Sequence, residues 1–173
     1  MPDCSARRRR SRDGVLEEND DGVVLRFERL IPRPVSHVWA ALIEPKVLAN
    51  WLGVAEVEPR TGGKFAFRFH EIGTVMTGAI TAFEPGRVLE YSWTESGMEL
   101  PPSRVRWELT AEGEGCRLVL AHRFAKGMAR RDIVPFLGGW EGLLDVLAEA
   151  SDGRFMPHRV WEPYDALYRE AYP

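Results

Sequence analysis

Residues 87–124 read RVLEYSWTESGMELPPSRVRWELTAEGEGCRLVLAHRF, and this stretch decides the fold. Three of its segments alternate between apolar and polar residues, and turn-forming Gly and Pro separate them. Alternation places every second side chain on the same face of a strand. Short strands joined by tight turns predict an antiparallel meander with one buried face. The predicted inward sets are Leu89, Tyr91 and Trp93, then Val105, Trp107 and Leu109, then Leu118, Leu120, His122 and Phe124.

The pattern continues towards the N-terminus. In KFAFRFH, at residues 64–70, Phe65, Phe67 and Phe69 share one face. The segments VAEVEP (54–59) and TVMTGAITAFEP (74–85) predict two more strands, and GVVLRFERLI (22–31) predicts the first strand of the domain. Between residues 35 and 53, apolar residues at helical spacing predict two short helices.

Towards the C-terminus, DIVPFLGGWEGLLDVLAEA (132–150) predicts a long helix whose apolar residues form one stripe. Asp132 suits its N-cap, and Pro135 would then lie in the first turn, where a missing N–H costs little. Gly138 and Gly139 weaken a helix, so they indicate close packing against a strand or, alternatively, room for a ligand.

The chain divides into three parts. Residues 1–21 are polar and Arg-rich, and we expect them to be disordered; contact with nucleic acid or an acidic membrane is the alternative. Residues 22–150 form the domain. Residues 151–173 form an extension with a short helix, which we expect to pack on the domain surface, although it could cover a cavity mouth or contact a second subunit.

Composition restricts the function classes. Outside the Arg-rich start the chain is acidic, which argues against nucleic acid as a ligand. No apolar run is long enough to span a membrane, and two cysteines suit a reducing compartment, so we expect a cytoplasmic protein. The four histidines lie on different elements without metal-ligand spacing, and no Gly-rich phosphate loop is present. We therefore expect no metal and no cofactor.

The order of elements is one strand, two helices, six strands and a long helix. Five segments carry a more specific resemblance: RLIPRPVSHVWAALIEPKVLANWLG, PRTGGKFAFRF, GAITAFEPGRVLEYSW, RLVLAHRF and GGWEGLLDVLAE. Over residues 23–150 the chain resembles the family related to the C-terminal domain of the activator of the heat-shock-protein-90 ATPase. That family belongs to the START-like or SRPBCC superfamily, which also includes polyketide cyclases. The resemblance implies an α+β helix-grip fold, in which a curved antiparallel sheet wraps around a long C-terminal helix.

Such a sheet is expected to leave a mostly apolar cavity beneath the helix. Within the apolar set, Tyr91 and His122 are polar and would need hydrogen-bond partners if buried. His122 is the candidate for ligand contact or proton transfer, and a buried structural histidine is the alternative. The predicted ligand-binding residues are Trp51, Phe65, Phe67, Phe69, Tyr91, Trp93, Trp107, His122, Phe136 and Trp140.

Three functions remain open at this point. The aromatic face favours non-enzymatic binding of a small hydrophobic or aromatic molecule. A cyclase or hydrolase using His122 as acid–base group is the first alternative, and a chaperone-modulating interaction domain is the second. We expect a small hydrophobic ligand, neither nucleic acid nor membrane as a partner, and leave a homodimer open.

Overall fold

The computed structural model describes residues 14–69, 73–153 and 162–172. The elements run in the order β1 (Val15–Asn19), β2 (Gly22–Ile31), α1 (Val35–Ile43), α2 (Pro45–Leu48), β3 (Val54–Val57), β4 (Lys64–Arg68), β5 (Val75–Glu84), β6 (Val88–Glu95), β7 (Ser103–Glu112), β8 (Gly115–Ala125), α3 (Arg130–Ala150) and α4 (Glu162–Ala171). The helix-grip fold predicted from the sequence is confirmed.

All strands join one antiparallel sheet in the order β1-β2-β8-β7-β6-β5-β4-β3. The first strand of the predicted domain, β2, pairs with the last strand, β8, so that Leu25 lies opposite His122. The sheet bends where β5 meets β6, because the register shifts between Ile80 and Ala82. Gly78 allows β5 to lie close to β6 at this point, since a Cβ on Gly78 would lie 1.7 Å from the Ser92 carbonyl oxygen.

The range predicted to be disordered, residues 1–21, contains a strand. Residues 15–19 form β1, which pairs with β2 at the edge of the sheet. The Asn19 side-chain oxygen accepts the N–H groups of Asp21 and Gly22, which closes the hairpin. Three of the five residues of β1 are polar and four are exposed, which suits an edge strand, and the polar residues made the segment look unstructured in the sequence. Residues 1–13 lie outside the described residues.

Helix α3 lies on the concave face of the sheet and begins two residues before the predicted N-cap. Ala129 is the N-cap, which places Asp132 in the first turn, where its charge still favours the helix dipole. Pro135 consequently lies beyond the first turn. A Cβ on Gly139 would meet open space, so close packing does not explain that glycine. The predicted apolar stripe is buried, except that Phe136 is half-buried.

A second face of α3 is buried against α4 and β2 by a polar network that the sequence analysis missed. Arg29 points inward from β2 and forms an ion pair with Glu141 on α3, both side chains being nearly fully buried. The Tyr168 hydroxyl, from α4, donates to Glu141 at 2.6 Å and lies 2.6 Å from the Gly14 backbone nitrogen. We call Arg29, Glu141 and Tyr168 the buried ion-pair network. Through the Tyr168–Glu141 hydrogen bond it holds α4 against α3.

The convex face of the sheet carries exposed charges, as the alternation predicts. One carboxylate on these strands, Glu90, is largely buried; it accepts from Arg106 at 3.3 Å and lies 3.6 Å from Arg104. On the neighbouring strands Arg117 pairs with Glu28 at 2.7 Å, and both side chains are about half exposed. Exposed pairs of this kind contribute at most about 1 kcal/mol each.

The buried ion pair and the exposed ion pairs should contribute differently to the free energy of unfolding. Glu141→Ala leaves Arg29 charged and buried, so we expect the free energy of unfolding to fall by about 3–5 kcal/mol. The matched control is Glu28→Ala in the exposed pair, which should cost no more than about 1 kcal/mol. Urea unfolding of both variants measures the difference, and equal losses would show that the Arg29–Glu141 pair has no special role.

Candidate functional site

The predicted ligand-binding residues lie together in one aromatic cluster between the sheet and α3. Trp93 is central to it: its ring lies 5.4 Å from Phe67 and 5.5 Å from Trp140. Trp140 in turn lies 5.4 Å from Trp107, which contacts Trp51 at 6.3 Å. These rings pack mostly edge to face, the arrangement that aromatic quadrupoles favour. The cluster is therefore continuous from the turn after α2 to the middle of α3.

Most members of this cluster contact other rings rather than open space. Phe65 stacks on Tyr91 at 4.0 Å, and Phe67 and Phe69 meet at 4.9 Å. The Tyr91 hydroxyl accepts the Trp107 indole N–H at 3.1 Å, and burial raises the pKa of Tyr91. Trp51, in the turn after α2, donates its indole N–H to the Ala41 carbonyl of α1 at 3.0 Å.

His122 is completely buried, and both of its ring nitrogens have partners. Trp140 Nε1 lies 3.0 Å from His122 Nδ1, and Ser103 Oγ lies 2.7 Å from His122 Nε2. The indole N–H can only donate, so Nδ1 must accept and the proton of the neutral imidazole must be on Nε2. Nε2 therefore donates to Ser103 Oγ. We call this chain, from Trp140 through His122 to Ser103, the hydrogen-bond relay.

The tautomer decides what His122 can do. A histidine that activates a serine must accept the serine proton on the nitrogen facing the hydroxyl. Here that nitrogen already carries a proton, and burial lowers the pKa of His122 to about 3. The relay thus suits hydrogen-bond donation rather than activation of Ser103 as a nucleophile.

Beside Ser103 the aromatic cluster opens into a small recess with a volume of about 10 Å³, roughly the space of one water molecule. The recess lies between α3, the ends of β6 and β8, and the loop at residues 96–102. Burial raises the pKa of Glu95, one of its two polar members, although Glu95 accepts the Trp93 indole N–H at 3.2 Å. The recess is lined by Trp93, Glu95, Met98, Leu100, Pro101, Ser103, Phe124 and Phe136.

Of the residues predicted from the sequence, Trp93 and Phe136 line the recess, and His122 lies behind Ser103. The polar members Ser103 and Glu95 were missed, although the sequence contained a signal for both. Ser103 is an even number of residues from Val105 and Trp107 on its strand, and Glu95 is an even number of residues from Tyr91 and Trp93 on its strand. Their period-two position places them inward regardless of polarity.

The described part of the chain offers no cluster of three or more His, Cys, Asp or Glu side chains that could hold a metal ion. Within the same residues, no helix is both long and apolar enough to cross a membrane.

Comparison with known families agrees with this geometry. Residues 32–152 match the family described as Activator of Hsp90 ATPase homolog 1-like protein. The chain belongs to this family. The resemblance inferred from the sequence segments is thereby confirmed, and family membership supports a ligand-binding domain. Comparison with the curated proteins gave no match.

Several solved structures share the architecture. The crystal structure of CalU16 from Micromonospora echinospora is 26% identical, with a TM-score of 0.70 over 92% of this chain and 95% of that one. The solution structure of the protein encoded by gene BPP1335 from Bordetella parapertussis is 30% identical, with a TM-score of 0.67 over 93% and 90% of the two chains. DynU16, from the dynemicin biosynthetic locus, is 25% identical, with a TM-score of 0.69 over 79% of this chain and 49% of DynU16.

The buried imidazole makes stability depend on pH. Between about pH 6.5 and pH 3 the unfolded chain binds a proton at His122 that the folded protein does not bind. The free energy of unfolding should therefore fall by up to about 1.4 kcal/mol for each pH unit below 6.5.

Urea unfolding at pH 7, 6 and 5 should show this slope in the wild type and its loss in His122→Gln. The matched control is His37→Gln on the exposed surface of α1, which should keep the wild-type slope. Parallel curves for the wild type and His122→Gln would contradict the buried, neutral imidazole.

Proposed function

We propose that the protein binds a small hydrophobic or aromatic molecule between the sheet and α3, entering at the recess, and that it does so without catalysing a reaction. The observation that carries the proposal is the lining of the recess, in which six apolar side chains surround one hydroxyl and one carboxyl group. Small-molecule sites have this composition, with a few polar groups fixing orientation inside an apolar wall. The relay supports binding over acid–base chemistry, because its histidine is held in the donor tautomer.

The recess must enlarge before it can hold a ligand, since ligand sites are typically hundreds of Å³ in volume. Residues 97–102 of the loop form the segment best placed to move. Within the described chain, residues 97–102 form a single backbone hydrogen bond, from the Met98 N–H to the Glu95 carbonyl at 3.4 Å. Met98 is 40% exposed, and both Met98 and Leu100 line the recess. Displacing this loop breaks few interactions and uncovers Trp93, Phe124 and Phe136.

Two properties of related proteins support the proposal. The superfamily contains binders of small molecules, and DynU16 comes from a biosynthetic locus. The described surface gives less support to a chaperone-modulating role. Its exposed large apolar residues are distributed over four segments, namely Val15, Leu30, Val54 and Met98.

An apolar probe tests the site. Fluorene should bind to the full-length protein and shift the methyl resonance of Met98 in a spectrum of the ¹³C-methyl-labelled methionines. Leu100→Glu places a carboxylate in the wall of the recess, so we expect about tenfold weaker binding or worse.

The matched control is Leu30→Glu, the same change at a residue that is 61% exposed on the convex face of β2. It should leave the affinity unchanged. Equal fluorene binding by Leu100→Glu and the wild type, or shifts that spare Met98, would show that the ligand binds elsewhere.

A further inference from the structure

We propose that the recess selects apolar molecules that present a neutral hydrogen-bond acceptor, such as the oxygen of an aromatic ketone or quinone, to the hydroxyl of Ser103. This inference rests on the proposed function and specifies the chemical class of its ligand. It follows from the direction of the hydrogen bonds in the relay, from the burial of Ser103 and from the charges around the recess.

The relay fixes the direction in which the Ser103 hydroxyl can donate. Ser103 Oγ accepts the Nε2 proton of His122, so its own proton must point away from the imidazole. Among the described residues, Ser103 Oγ has no hydrogen-bond partner other than His122. Ser103 is only 7% exposed and lines the recess. Its hydroxyl therefore provides a donor to whatever occupies that space.

A donor in this position favours a ligand with an acceptor. A hydrocarbon that displaced water from the recess would leave the Ser103 O–H without a partner, and an unsatisfied buried donor is costly. A carbonyl oxygen at the same place would accept that proton. The cooperative polarisation of the chain from Trp140 through His122 strengthens the donor further.

The charges around the recess exclude anionic acceptors. Glu95 is its only titratable side chain, and no Lys, Arg or His is among the described residues that line it. A carboxylate ligand would lose its hydration without gaining a cationic partner, and it would lie beside the Glu95 carboxyl group. Fatty-acid head groups and other carboxylates are therefore disfavoured, whereas a neutral carbonyl oxygen meets no such penalty.

A matched set of probes tests the selectivity directly. Fluorene and 9-fluorenone share a ring system and differ by a CH₂ or C=O at one position, and fluorene-9-carboxylate adds an anionic acceptor. With the full-length wild type at pH 7, we expect 9-fluorenone to bind about 10- to 100-fold more tightly than fluorene. Fluorene-9-carboxylate should bind more weakly than either.

Ser103→Ala removes the donor and retains the apolar lining, so the affinity ratio of 9-fluorenone to fluorene should fall to about one. The infrared C=O band of bound 9-fluorenone should lie at lower frequency in the wild type than in Ser103→Ala, because the hydrogen bond weakens the C=O bond. The matched control is Ser151→Ala at the end of α3, whose hydroxyl donates to the Ala148 carbonyl. It should keep both the ratio and the band position.

The outcomes separate this inference from the proposed function. If the wild type binds fluorene and 9-fluorenone equally, the selectivity is overturned while apolar binding stands. If it binds none of the probes, the proposed function fails as well. A ratio that persists in Ser103→Ala, or tight binding of the carboxylate, would also overturn the inference. The wild-type comparison requires no variant, so the test remains decisive even if Ser103→Ala does not fold.

Discussion

The hydrogen bond from the Trp140 indole to His122 Nδ1 is the contact on which the interior depends. It joins α3 to β8 at a position where aromatic rings exclude water on every side, the closest being Phe124 at 4.1 Å. A buried imidazole can remain there only if it is neutral and both nitrogens are satisfied. The same bond selects the tautomer, and the tautomer in turn determines the direction of the bond to Ser103. The Trp140 indole N–H thus fixes the direction of both hydrogen bonds in the relay, which ends at the recess.

The neighbouring residue on α3 makes the opposite kind of contact. Glu141 forms an ion pair with Arg29 on β2 and accepts a hydrogen bond from Tyr168 on α4. Consecutive positions on a helix point about 100° apart, so Trp140 and Glu141 bind different strands from different sides of the helix. These two contacts together fix both the rotation of α3 and its position along the sheet. Packing of the apolar stripe alone would tolerate small rotations and shifts of the helix, because dispersion contacts are not directional.

The fold could be predicted from the sequence because the decisive signal is periodic. Phe65, Phe67 and Phe69, and likewise Leu118, Leu120 and His122, show which face of each strand is buried. The polar members of the same faces could not be recognised by composition. Arg29, Glu95 and Ser103 point inward, but polarity usually indicates the solvent face, and the partners of Arg29 and Ser103, which are Glu141 and His122, come from other elements. The N-cap of α3 was predicted three residues late: Asp132 is a good N-cap by type, yet Ala129 is the N-cap and the helix begins at Arg130.

The size of the recess could not be predicted from the sequence either, because it depends on how side chains from β6, β8 and α3 interdigitate. Among the described residues, the recess that these side chains leave beside Ser103 has room for little more than a water molecule. Any enlargement must therefore come from an element that can move. Moving α3 would break the bond to His122 and the buried ion-pair network together, a loss of several kcal/mol. Moving residues 97–102 breaks one long backbone hydrogen bond. Displacement of residues 97–102 leaves the relay intact, so the Ser103 hydroxyl keeps its orientation while the recess enlarges.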